Sequence, residues 1–176
     1  MTDADSPVDA TEFRRLMARW ATGVSVVTAR DRATDAGLTV NAFLSVSLNP
    51  PSILVSLMRD VDTLPLIERT GQFAVSFLTA AQRPLSERFA RMIPAAEKFE
   101  GVAVHRGPHG LALLDGTLGA LECRVTSLTP AHDHVLALGE VVYQESGGEA
   151  LPLVFFRSTY AEPEGSDRLR LPPPRP

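Results

Sequence analysis

Residues 37–51 read Gly-Leu-Thr-Val-Asn-Ala-Phe-Leu-Ser-Val-Ser-Leu-Asn-Pro-Pro and bring Thr39, Asn41, Ser45 and Ser47 into one short run. Their side chains are short donors and acceptors of fixed reach, and Ala42 removes bulk between them, so a flat polar ligand edge could lie against them. The second half alternates, with Leu44, Val46 and Leu48 on one face and Ser45, Ser47 and Asn49 on the other. That period of two predicts a half-buried strand. The same pattern also suits a solvated strand rich in Ser and Thr with no ligand at all.

Other residues could carry chemistry. Asp133-His134 opens a strand after a turn, where an imidazole can face a ligand or simply solvent. Thr63 stands at a predicted helix start, where free N–H groups and a positive field suit a phosphate. Lys98 and Arg91 lie in a segment without clear period and could add charge there, or be solvated cations. His132 and His134 share a strand face, but no nearby Cys or well-placed acid completes a ligand set, so no metal is expected. There is no glycine-rich dinucleotide loop, no P-loop and no nucleophile elbow.

The elements that must hold these residues follow in order. Asp9 and Glu12 form a capping box for a helix whose Phe13, Leu16, Met17 and Trp20 make one apolar face, ended by Gly23. Residues 24–28 are a β-branched strand, 30–36 a charged hairpin loop, and Pro50-Pro51 a forced turn. A second apolar strand covers 52–58. Asp62 can cap a helix over 63–70, which Gly71 stops. Residues 72–78 are a strand and 81–90 a helix with Leu85 and Phe89 inward, while 91–110 show no period. Residues 117–128 alternate weakly, 129–133 form a turn, 134–145 a long strand and 153–157 a short one. Tight turns between six or seven short strands predict a mainly β (α+β) fold: an antiparallel barrel with a few short peripheral helices.

The length of 176 residues fits one domain, expected over 11–160 between a flexible N-terminus (1–10) and a flexible Pro-rich tail (161–176). A net charge of -4 argues against nucleic acid and anionic membranes as partners. Cys123 is the only cysteine, which excludes an internal disulfide and fits a cytoplasmic location. No signal peptide and no membrane-spanning run is expected.

Taken together, ordered stretches over roughly 11–160 resemble the NAD(P)H:flavin oxidoreductases, the small components of two-component flavin-dependent monooxygenases. The matches are Phe13-Arg14 through Trp20-Ala21-Thr22-Gly23-Val24, then Thr39-Val40-Asn41-Ala42 with Ser45-Val46-Ser47 and Pro50-Pro51. Gly71-Gln72-Phe73-Ala74-Val75, Lys98-Phe99, Leu121-Glu122-Cys123, Asp133-His134, Gly139-Glu140-Val141 and Phe156-Arg157 to Tyr160 continue it.

The resemblance implies an FMN-binding split β-barrel, a homodimer, and hydride transfer from NADH or NADPH to FMN (or FAD). Reduced flavin would go to a partner flavin-dependent monooxygenase. It places Thr39, Val40, Asn41, Ala42 and Ser45 along the flavin, Ser56, Leu57 and Thr63 at its phosphate, Lys98 and Phe99 near it, and His134 at the nicotinamide. A non-catalytic flavin-binding protein of the same fold is the alternative. Two departures stand out: Asp60-Val61-Asp62 replaces a small polar residue before the helix Thr, and His132 replaces the Gly of a Gly-Asp-His motif.

Overall fold

The computed structural model describes residues 7–161. The carboxylate of Asp9 accepts from the N–H groups of Thr11 and Glu12, both at 2.9 Å, and opens α1, Ala10–Met17. The helix starts where the Asp9 cap predicts but stops at Met17, well before Gly23, and buries none of its residues. β1 (Thr22–Gly23), β2 (Ser25–Asp31) and β3 (Thr34–Val40) follow. The charged loop expected over 30–36 is only the turn at Arg32 and Ala33. Of its charges, Asp35 takes Arg30 at 3.0 Å and Arg106 at 2.7 Å, and Asp31 takes Arg69 at 2.9 Å.

β4 (Phe43–Leu48) and β5 (Pro51–Met58) lead to α2, Thr63–Thr70, which ends on a left-handed Gly71 as predicted. β6 (Gln72–Phe77), a 3-10 helix (Ala80–Gln82) and α3 (Arg83–Phe89) come next. The segment without readable period holds α4 (Ala95–Phe99) and β7 (Val104–Arg106). β8 (Ala112–Leu114), β9 (Gly119–Ala131), β10 (His134–Ser146), β11 (Val154–Phe156) and β12 (Thr159–Ala161) complete the order. β9 runs through the turn expected at 129–133 and leaves only His132 and Asp133 to reverse the chain. Ala161, the expected start of the tail, belongs to β12; the rest of the tail and residues 1–6 lie outside the described residues.

Seven strands form one antiparallel sheet in the order β3-β2-β6-β9-β10-β5-β4. β3 and β4 stand at opposite edges of that order, yet only Asn41 and Ala42 join them. The sheet therefore curls until its edges approach, which makes the split antiparallel barrel. The N–H of Ser56 donates to the Ala42 carbonyl at 3.1 Å and carries the β4–β5 ladder into this link.

Val27, Val55, Leu57, Phe73, Val75 and Ala137 are fully buried inside the barrel, and Ile67 of α2 closes it. Burying each of the larger side chains contributes about 1.5–3 kcal/mol, and Phe73→Ala costs about 3–5 kcal/mol because it also leaves a void. A second core packs Val26, Leu78, Phe89, Leu114 and Leu153 outside β2 and β6. There Gly37 lets Phe89 approach β3: a Cβ at that position would lie 2.9 Å from the ring.

Candidate active site

A cavity of about 630 Å³ lies between α1, the Asn41–Ala42 link and the face of β4 and β5 that carries Leu44, Leu54 and Ser56. It exists because β5 alternates. Ile53, Val55 and Leu57 turn into the barrel, so Leu54 and Ser56 point the other way. Trp20, Phe43 and Phe155 supply flat apolar walls, and Asn41, Ser56 and Thr22 supply polar edges. A second cavity of about 400 Å³ shares Trp20, Thr22, Asn41 and Phe43 and continues toward Phe77 and Pro152. Volumes of this size suit a planar cofactor with a second ring beside it.

Of the residues expected along the ligand, Asn41, Ala42 and Ser56 line the cavity. Thr39 does not: its hydroxyl donates to the Ser86 carbonyl at 2.7 Å and ties β3 to α3. Val40 and Leu57 are core residues, because strand alternation turns them inward. Ser45 is exposed opposite Ile53 and outside the cavity. The polar face expected to run from Thr39 to Ser47 is broken twice, by the Asn41–Ala42 link and by a bulge at Val46. Nor does the apolar face of that stretch turn inward. Leu44, Val46 and Leu48 are exposed, Leu48 to 89%; Phe43 is the β4 residue packed against the barrel core, and alternation turns its neighbour Leu44 away.

The barrel end beyond β5 holds Thr63, Asp62 and Lys98. The Thr63 side chain is buried and its Oγ1 has no hydrogen-bond partner. Asp62 precedes α2 as predicted, but its side chain makes no capping bond, so the helix start is not closed by its own carboxylate. Lys98 is only 8% exposed; its Nζ donates to the carbonyls of Gly37 at 3.2 Å and Phe89 at 3.4 Å. Burial lowers its pKa, and the nearby Asp62 charge opposes that shift. Phe99 packs edge-on against Phe89 at 5.1 Å. Lys98 and Phe99 thus brace the wall formed by β3 and α3 and do not line either cavity.

His134 pairs with Met58 across β10 and β5, two residues from the Leu136–Ser56 pair. Cross-strand partners and alternate residues share a face, so His134 lies on the Ser56 side of the sheet. Its Nδ1 lies 2.9 Å from the Asp133 carboxylate, and this bond holds Asp133 below the usual carboxylate range. Nε2 has no partner among the described residues. His132 takes a left-handed φ of 57° in the turn, which accounts for the Gly of the resembling motif: only Gly enters that region without strain.

Most wall residues were not singled out for ligand contact in the sequence, among them Arg14, Trp20 and Thr22. Thr22 Oγ1 is buried without a partner on the wall common to both cavities. Trp20 reads as the end of the helix face and Thr22 as the residue before its Gly23 stop, and nothing local says that the helix ends at Met17. Cys123, on the barrel interior, is no nucleophile: burial and the neighbouring Glu122 push its thiol up to about 12. Among the described residues no cluster of three or more His, Cys, Asp or Glu could hold a metal, and no helix is long and apolar enough to cross a membrane.

Residues 17–164 match the flavin reductase-like domain family. Over 150 residues the chain is 39% identical to the actinorhodin polyketide dimerase of Streptomyces coelicolor, covering 85% of this chain and 84% of that protein. Over 148 residues it is 37% identical to the reductase component of 4-hydroxyphenylacetate 3-monooxygenase from Thermus thermophilus, covering 84% and 93%. Among solved structures, the NADH:FAD oxidoreductase of Streptomyces globisporus in complex with NAD and FAD fragments superposes with a TM-score of 0.82 at 30% identity, covering 96% of both chains.

Proposed function

This chain belongs to the flavin reductase-like family, and from that premise we propose how its own residues carry the reaction. The protein is an NAD(P)H:flavin oxidoreductase that uses FMN or FAD with NADH or NADPH and supplies reduced flavin to a partner flavin-dependent monooxygenase. The flavin ring system supplies the hydride acceptor; the chain binds it, orients it and excludes water.

The observation that carries the placement is the pair of orphaned buried hydroxyls, Thr22 Oγ1 and Thr63 Oγ1. An unmet buried hydroxyl costs about 1–3 kcal/mol, and for Thr22, which lines both cavities, a ligand atom supplies the partner directly; Thr63 is buried at the barrel end and lines neither cavity. Thr22 stands where a ring edge would lie, with Asn41 and Ser56 as further partners and Trp20 and Phe43 as walls. Thr63 stands at the uncapped start of α2, where a flavin phosphate would meet the helix field. Asp60 and Asp62 flank that point and weaken its hold on a dianion, so flavin exchanges as a substrate. His134, held by Asp133 on the Ser56 side of the sheet, presents Nε2 toward the nicotinamide.

The protein acts as a homodimer in this reading. Phe13, Leu16, Met17 and Trp20 on and after α1, and Leu44, Val46 and Leu48 on β4, are all exposed, and Met17, Trp20 and Leu44 among them line the cavity. A large apolar patch of this kind marks an association surface. The lone, inert Cys123 accords with a reducing cytoplasm. The function is tested by steady-state oxidation of NADH and NADPH with FMN, FAD and riboflavin in parallel; oxidation must depend on added flavin.

A further inference from the structure

Arg14 is the single charged residue on the wall of the larger cavity. It sits on α1, lines the same cavity as Asn41 and Ser56, and its guanidinium has no carboxylate within salt-bridge reach among the described residues. Arg30 and Arg106 pair with Asp35, Arg69 with Asp31 and Arg83 with Glu87, whereas Arg15, Arg19, Arg59 and Arg124 are also without a carboxylate among the described residues; Arg14 differs from those in lining the cavity. Beside Arg14, Ser158 lines the same wall from the β11–β12 turn, where Arg157 and Ser158 both take left-handed φ values of 51° and 59°. That turn is fixed to the end of α1, because the Arg157 N–H donates to the Ala18 carbonyl at 2.6 Å. An unpaired guanidinium and a hydroxyl therefore share one rim of a largely apolar cavity.

A planar guanidinium of this kind takes a phosphate through paired hydrogen bonds. Both substrates carry phosphate, but the flavin's own phosphate has Thr63 and the α2 start, which belong to the barrel end and not to this wall. Resting on the reading of the cavity as the flavin site, we propose that Arg14, assisted by Ser158, anchors a phosphate of the nicotinamide dinucleotide. It sets affinity for the hydride donor without touching the reacting atoms.

The test is kinetics of Arg14→Gln and Arg14→Lys against wild type, with riboflavin as the acceptor so that no flavin phosphate is present. NADH and the phosphate-free donor N-benzyl dihydronicotinamide are compared. Loss of a charge-assisted contact predicts that Arg14→Gln raises KM for NADH roughly ten- to hundredfold. The ratio of kcat/KM for NADH to that for the phosphate-free donor falls by the same factor, and Arg14→Lys restores part of it. Equal losses with both donors, or an unchanged KM for NADH, overturn the assignment. FMN, FAD and riboflavin titrations form the second arm. A selective loss of FMN or FAD affinity in Arg14→Gln assigns the phosphate to the flavin and also overturns it. Wild-type oxidation of NADH with FMN reports on the flavin reductase reading separately: its absence would indict that reading and not Arg14.

Discussion

The hydroxyl of Thr39 donates to the carbonyl of Ser86 at 2.7 Å, and the Ser86 hydroxyl lies 2.8 Å from that of Tyr160. The first residue of the Thr-Val-Asn-Ala stretch is thus a strut joining β3, α3 and β12, and what reaches the cavity is Asn41 and Ala42 beyond it. Thr39→Val should lower stability by about 0.5–1.5 kcal/mol, the worth of one such bond, since Ser86 still accepts from Ala90. Denaturant unfolding measures this, and a flavin titration of the same variant should show an unchanged affinity. A large affinity loss at unchanged stability would return Thr39 to the ligand.

Trp20 is the only tryptophan and stands on the wall of both cavities. Its fluorescence should therefore be quenched on titration with riboflavin or FMN. Asp60 lies in the exposed turn before Thr63, so Asp60→Ser should tighten FMN by up to about tenfold and leave riboflavin unchanged, because removing ~1.4 kcal/mol of repulsion is a factor of ten. Equal shifts for both flavins would place Asp60 away from the phosphate.

His134→Ala should lower the NADH-dependent rate while the fluorescence titration with FMN stays as in wild type. His132→Gly, which removes a side chain from a left-handed turn, should leave the rate unchanged. A rate unaffected by His134→Ala across NADH concentrations would make the Asp133–His134 contact a turn tether alone.

His105 has Asp115 at 2.6 Å on Nδ1 and the Glu145 carboxylate at 3.1 Å on Nε2, while the Tyr143 hydroxyl donates to Glu145. The Asp115 bond first, then Glu145, raises its pKa above 6.5. A raised folded value means that the contribution is fully present below 6.5 and is lost as pH climbs through the folded value. The site is half exposed, so the whole effect should stay below about 1 kcal/mol. Melting temperature against pH should fall across that window in wild type, and the step should vanish in His105→Gln.

How much of this was legible beforehand differs by element. Thr63–Thr70 carried its own signals, a helix period closed by Gly71, and its bounds came out as read. β4 did not, because alternation says that two faces differ and not which one faces the core; the packing of Phe43 into the barrel goes with an outward Leu44, and Val46 and Leu48 are exposed as well. Lys98 is opaque for a similar reason. Nothing in the local pattern announces that the carbonyls of Phe89, just before it, and of Gly37, distant in sequence, will take up its ammonium. Asn41, Ala42 and Ser56, singled out in the sequence, line the cavity, whereas Arg14 and Thr22 reach the same wall only once α1 folds back beside β5.

The central claim is that flavin is reduced in the cavity bounded by Ala42, Ser56 and Trp20. Ala42 is exposed and lies outside both cores, so Ala42→Leu adds bulk to the cavity without disturbing the fold. The most direct measurement is NADH oxidation as a function of added FMN for wild type and Ala42→Leu at matched melting temperature. Oxidation by wild type should require flavin, and Ala42→Leu should lose at least about tenfold in kcat/KM for FMN, the effect of ~1.4 kcal/mol of steric cost. Flavin-independent oxidation by wild type, or a variant indistinguishable from it, would contradict the account.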